Sequence, residues 1–131
     1  MKGDLVERVT LLAYSEPVRV GPEQLNGLYS QLGVSGAEDV VCRAMEEIAL
    51  RMNRTVRQFA DGELEDLRKN ARSLVGIADQ IGLSGLASVA GDVTNCIDDG
   101  DRIALSAVLN RFLRVGERSL SAIWELQDIS I

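Results

Sequence analysis

Apolar positions recur along this chain at steps of three and four, and the runs are interrupted at glycines. That period belongs to helices with one buried face, not to strands. Gly21-Pro22-Glu23 sets proline and an acid in a first turn, and Leu25, Leu28, Tyr29 and Leu32 then line one face until Gly33. Ser35 stands three residues before Glu38, the spacing of a capping box, and Val41, Met45, Ile48, Met52, Val56 and Phe59 follow. These predict a helix of about 25 residues that Asp61-Gly62 ends. Leu64, Leu67, Ala71, Leu74, Ala78 and Ile81 predict a second helix, stopped by Gly82. Ser84 is the expected cap of a third, with Leu86, Ala90, Val93 and Ile97 facing inward before Asp98-Asp99-Gly100. A fourth runs from Asp101 to the neighbourhood of Gln127, with a broad apolar face of Leu105, Val108, Leu109, Phe112, Leu113, Leu120, Ile123 and Trp124.

Short links make consecutive helices antiparallel neighbours. The expected fold is all-α: an antiparallel up-down-up-down four-helix bundle over residues 21–131, with the 22–33 segment as an additional capping helix. Residues 1–20 form an N-terminal extension in which Leu5, Val6, Val9, Leu11 and Leu12 suggest a short helix ended by Ser15-Glu16-Pro17.

Composition narrows the function classes. The 131 residues fit one domain, and both prolines fall before residue 23, which leaves the rest unbroken for helices. A net charge of −6 has the wrong sign for gripping phosphate backbones or anionic lipid, so nucleic acid and membrane are not expected partners. No apolar run approaches the roughly 18 residues of a membrane span and no signal-like core follows Met1, so cytoplasm is the expected location. Cys42 and Cys96 lack CxxC spacing and histidine partners; they are expected to be buried thiols, with no metal site and no cofactor. At about 1.5 Å of rise per residue the two lie too far apart along parallel-running helices for a disulfide.

The stretch Ala71-Arg72-Ser73-Leu74-Val75-Gly76-Ile77-Ala78, followed by Ile81-Gly82, Leu86-Ala87 and Ala90, resembles the core motif of histidine-containing phosphotransfer (HPt) domains. The resemblance extends over roughly residues 22 to 125, since the capping helix, the long helix and the Asp61-Gly62 turn sit where that family has them. It implies a four-helix bundle that docks on a receiver domain or histidine kinase in a two-component phosphorelay. The phospho-accepting histidine of the motif is Arg72 here, and its supporting lysine is Val75.

Those departures remove the chemistry. A guanidinium is permanently protonated and offers no lone pair to attack phosphorus, and the chain contains no histidine anywhere to replace it. Ser73 has Arg72, Lys69 and Arg68 as neighbours, none of them a general base, and Asp79 has no second carboxylate beside it. The inward stripes carry no Glu or His cluster, so an enzyme is not expected.

What the residues offer instead is a surface. If Asp61-Gly62 folds the second helix back on the first, Arg51 comes beside Arg72 and Arg54 beside Lys69, and with Arg68 they form a basic patch on an acidic protein. Arg72, Gly76, Lys69, Arg68, Val75, Arg51, Arg54 and Asp79 are the candidate partner-binding residues, with Gly76 leaving room for close approach one turn beyond Arg72. Bland readings stand beside this one: Arg72 as a solvated side chain, Gly76 as a close-packing position, Phe112 and Trp124 as core. The expected function is a non-catalytic HPt-like protein that binds without accepting phosphate. The alternative is a structural bundle that self-associates, as a homodimer for example, through a stripe such as Val40, Ala44 and Val75.

Overall fold

A computed structural model describes residues 21–130, and the expected helix in 1–20 lies outside the described residues. The described chain is all-helical: α1 (Pro22–Ala60), α2 (Leu64–Gln80), α3 (Ser84–Asp98) and α4 (Arg102–Ser130), with no strand among the described residues. Each helix lies against two others in a ring α1–α2–α3–α4–α1, and the α1–α4 contact is the thinnest of the four. No helix among the described residues is long and apolar enough to cross a membrane.

α1 is two helical segments in succession. Gly33 sits between them at φ 76°, ψ 174°, a left-handed conformation that side-chain-bearing residues rarely adopt. The second segment begins beyond Gly33, so Ser35 lies inside the first turn and does not occupy the cap. The turns after α1, α2 and α3 share one geometry, each with a glycine (Gly62, Gly82, Gly100) at φ between 71° and 81°. In the second of them Gly82 N donates to Asp79 O at 3.1 Å and Leu83 N to Ala78 O at 2.8 Å, the paired bonds that satisfy the last carbonyls of a helix. Ser84 is not a cap: Leu83 occupies that position with no side-chain bond. Asp101 is one, its Oδ1 accepting from Ala104 N at 2.9 Å just ahead of α4.

The core takes one stripe from each helix. Leu67, Ala71, Leu74 and Ala78 from α2 with Ile81 just beyond its end, Leu86, Ala90 and Val93 from α3, and Leu105, Phe112 and Ile123 from α4 are buried against Val41, Ala44, Ile48 and Met52 of α1. Each fully buried side chain of the leucine class contributes about 1.5–3 kcal/mol. Five residues expected to face the core fall wholly or partly outside it. Val56 is 49% exposed, because the stripe of α1 runs through Thr55 instead. The Thr55 hydroxyl donates to Met52 O at 2.6 Å, so a polar side chain enters the core satisfied. Trp124 is 60% exposed, since Leu120 and Ile123 already take up the inward arc of the last turns, while Phe112 is core as expected. Leu32 is 48% exposed where α1 bends. Cys42 is exposed and Cys96 only half-buried, against the expectation of two buried thiols, and they are not bridged to one another.

Candidate functional site

The outer face of α2 presents Lys69, Arg72, Ser73, Gly76 and Asp79 to solvent, while its opposite edge is sealed in the core. Residues at steps of three and four share a helix face, so the burial of 67, 71, 74, 78 and 81 forces 69, 72, 76 and 79 outward. Arg72 and Lys69 make no hydrogen bond or ion pair among the described residues. A Cβ built on Gly76 meets nothing within 4 Å, so this glycine is not a close-packing position; it is an open gap on the surface one turn beyond Arg72.

The rest of the expected basic patch is committed elsewhere. Arg68 is half-buried and held by Asp98 at the end of α3, its Nε donating to Oδ1 at 2.7 Å and its Nη2 to Oδ2 at 3.2 Å. This bidentate geometry raises the guanidinium's proton affinity, first through the hydrogen bond and then through the carboxylate charge. Asp98 is correspondingly held below the ordinary carboxylate range by the Arg68 hydrogen bond, against some desolvation, with the charges of Arg68 and then Arg72 adding to it. Arg72 thus lies close enough to influence Asp98 without bonding to it.

Arg51 does not reach the outer face of α2. Its Nε donates to Glu47 Oε2 at 2.9 Å and its Nη1 to Asn70 Oδ1 at 3.0 Å. Asn70, buried, returns its amide to Arg51 O at 3.0 Å and to Gln58 Oε1 at 3.2 Å. The sequence reading missed Asn70, although a lone amide beside the Leu67-Ala71 stripe was the available signal of a polar clamp. Arg54 is exposed and faces a hollow of about 260 Å³ with Arg57, Gln58, Asp61 and Glu63 at the α1–α2 turn. Of the candidates, the structure therefore brings together Lys69, Arg72, Gly76 and Asp79 on one open face, with Arg68 tied at its edge and Val75 half-buried against the core.

Among the described residues two further grooves lie along α1. One, of about 350 Å³, runs between α1 and α2 and is lined by Val40, Arg43, Ala44, Glu47, Ile77 and Gln80. The other, of about 390 Å³, is predominantly apolar and lies on the α1–α4 side, lined by Cys42, Met45, Glu46, Ala49, Leu120 and Trp124. The stripe expected to mediate self-association is largely closed, since Ala44 is buried and Val40 and Val75 are half-buried.

The Cys96 thiol is pushed up by burial and then by Asp101, Asp92 and Asp99, which disfavours its reactive thiolate. Among the described residues no group of three or more His, Cys, Asp or Glu side chains is placed to hold a metal ion. Comparison with known proteins adds no relative: no family model, no curated protein and no solved structure matches the chain.

Proposed function

We propose that this chain is a non-catalytic HPt-like docking protein of two-component signalling, which binds a receiver domain or histidine kinase through the outer face of α2 and accepts no phosphate. In this reading residues 21–131 are an antiparallel up-down-up-down bundle, the segment 22–32 caps the end at the α2–α3 turn, and the protein works in the cytoplasm.

The observation that carries the reading is the partition of the motif between core and surface. The motif positions that the resemblance assigns to packing, Ala71, Leu74, Ala78, Ile81, Leu86 and Ala87, are buried, while the position of the phospho-accepting histidine, Arg72, is exposed with an open gap at Gly76. The antiparallel arrangement is supported by pairings of helix starts with helix ends. Arg68, early in α2, bonds Asp98 at the end of α3, and Arg102, first in α4, lies 5.6 Å over the ring of Phe59 near the end of α1.

Arg72 then serves as a fixed cation for the acidic pocket of an unphosphorylated receiver, with Lys69 adding to the steering field. Titration of the protein against a panel of receiver domains, phosphorylated and not, tests this. Binding should prefer the unphosphorylated form, weaken with salt, and fall at least about tenfold in Arg72→Glu, a reversal of charge at the centre of contact. Binding indifferent to Arg72→Glu refutes the Arg72 contact, and no binding to any receiver or kinase refutes the function.

One observation favours a second reading, self-association: the apolar groove beside Trp124. A C2 pair burying Trp124 in the partner's groove would cover it. Sedimentation that stays monomeric at all concentrations removes this reading; a dimer abolished by Trp124→Glu supports it.

A further inference from the structure

We propose that residues 22–32 are a hinged strap, which opens about Gly33 as a unit while the rest of the bundle stays folded. The inference is independent of the docking reading. The segment has little internal reason to hold its helix. It is shorter than the roughly 12–15 residues at which isolated helices become even marginal, and it carries Asn26, Gly27 and Ser30, all poor helix formers.

Among the described residues its attachments are few. Leu25, Leu28 and Tyr29 are half-buried, the two leucines against the core, and next to the segment Gly21 N donates to Gly82 O at 2.7 Å. No side chain of 23–32 forms a hydrogen bond or ion pair with the rest of the bundle among the described residues. At the other end Gly33 is exposed, and a Cβ there would meet nothing within 4 Å, so the hinge is not packed in place.

The latch is specific. A Cβ on Gly82 would lie 2.7 Å from Gly21 O and 2.9 Å from Gly21 N, so the two backbones meet only because residue 82 has no side chain. Gly82 is flanked by Ile81 and Leu83, both 0% exposed.

Gly82→Ala is a wedge against the backbone of Gly21, and Gly100→Ala is its control. Both residues have φ in the left-handed region, but nothing lies within 4 Å of a Cβ at Gly100. The two variants therefore share the turn strain and differ in the wedge.

Hydrogen exchange of the full chain, read by mass spectrometry, makes the test. In the unmodified protein amides of 22–32 should exchange at least about 100-fold faster than those in the middle of α2, from local opening. Relative to α2, Gly82→Ala should speed 22–32 by about tenfold or more, and Gly100→Ala should not. If Gly82→Ala does not fold, Leu25→Ala/Leu28→Ala should produce the same selective loss. Exchange of 22–32 as slow as that of α2, equal effects of Gly82→Ala and Gly100→Ala on it, or a double variant that loosens α2 as much as the strap, each overturns the proposal.

Discussion

The two long edges of residues 34–60 in α1 are closed by different means. Toward α2 the seam is clamped by polar groups: Asn70 accepts from the Arg51 side chain and donates to the Arg51 carbonyl and Gln58, with Glu47 holding Arg51 from the other side. Toward α4 the contact is thinner, with Arg102 over the Phe59 ring, Met52 lying over Gly116, and a predominantly apolar groove of Cys42, Met45, Ala49, Leu120 and Trp124 left open. A hydrogen-bonded seam fixes register, because each donor has one acceptor in reach; an apolar seam fixes only area and shape. The edge that is clamped adjoins the proposed docking face. The edge toward α4 is the one that exposes a tryptophan.

The largest expected effect lies on the apolar seam. Met52→Ala should cost about 2–5 kcal/mol in urea unfolding, from lost transfer energy and the cavity left behind. The same residue sets the sign of a second substitution. A Cβ at Gly116 would stand 2.5 Å from both Sδ and Cε of Met52. Gly116→Ala should therefore gain nothing in the unmodified protein, yet recover up to about 1 kcal/mol of helix propensity once Met52 is alanine. Additivity of the two changes would mean that Met52 does not fill this position.

On the clamped seam Asn70→Ala should cost about 1–3 kcal/mol, since it strands a carbonyl and two side chains that it now satisfies. A cycle with Arg51→Ala should show coupling of about 0.5–3 kcal/mol, and independence would show the clamp to be incidental. Trp124→Ala should lie within about 0.5 kcal/mol of the parent, as a surface change does. A cost well beyond that, growing with protein concentration, would mean that the open edge is covered in solution by another copy.

The fold was legible in the sequence where physics is local. The breaks at Gly33, Gly62, Gly82 and Gly100 coincide with the positive-φ positions, because a helix ending in that conformation selects glycine. The stripe of α2 was read correctly as buried, except that Leu64 at its start is half-exposed. The reading faltered where burial depends on a partner. Thr55 and Ser119 are buried because their hydroxyls donate to Met52 O and Val115 O, so a scale that scores side chains alone assigned the position of Thr55 to Val56. Trp124 was misplaced because a period of 3.6 gives the direction of an apolar face and not its width. The basic patch was read as five cations; Arg51 and Arg68 proved to be tied by Asn70, Glu47 and Asp98, which no spacing along one helix reveals.

The smallest effect bears most directly on the proposed docking face. Asp98 has its proton affinity lowered in the folded state, so its contribution is present above the ordinary aspartate value of about 3.9 and is lost as pH falls through the lower folded value. The pair is solvent-facing, and its effect on stability should be slight and confined to that acid window. Its diagnostic use is in the titration midpoint of the Asp98 carboxyl, followed by NMR. Arg68→Ala should move it up strongly, because the hydrogen bond is the leading cause of the depression, whereas Arg72→Ala should move it up only a little, through charge at a distance. Equal shifts would mean that Arg72 shares the carboxylate with Arg68. Its guanidinium would then be neutralised within the bundle, and a partner would have to break that pair before using it, which removes the outward cation on which the proposed docking reading depends.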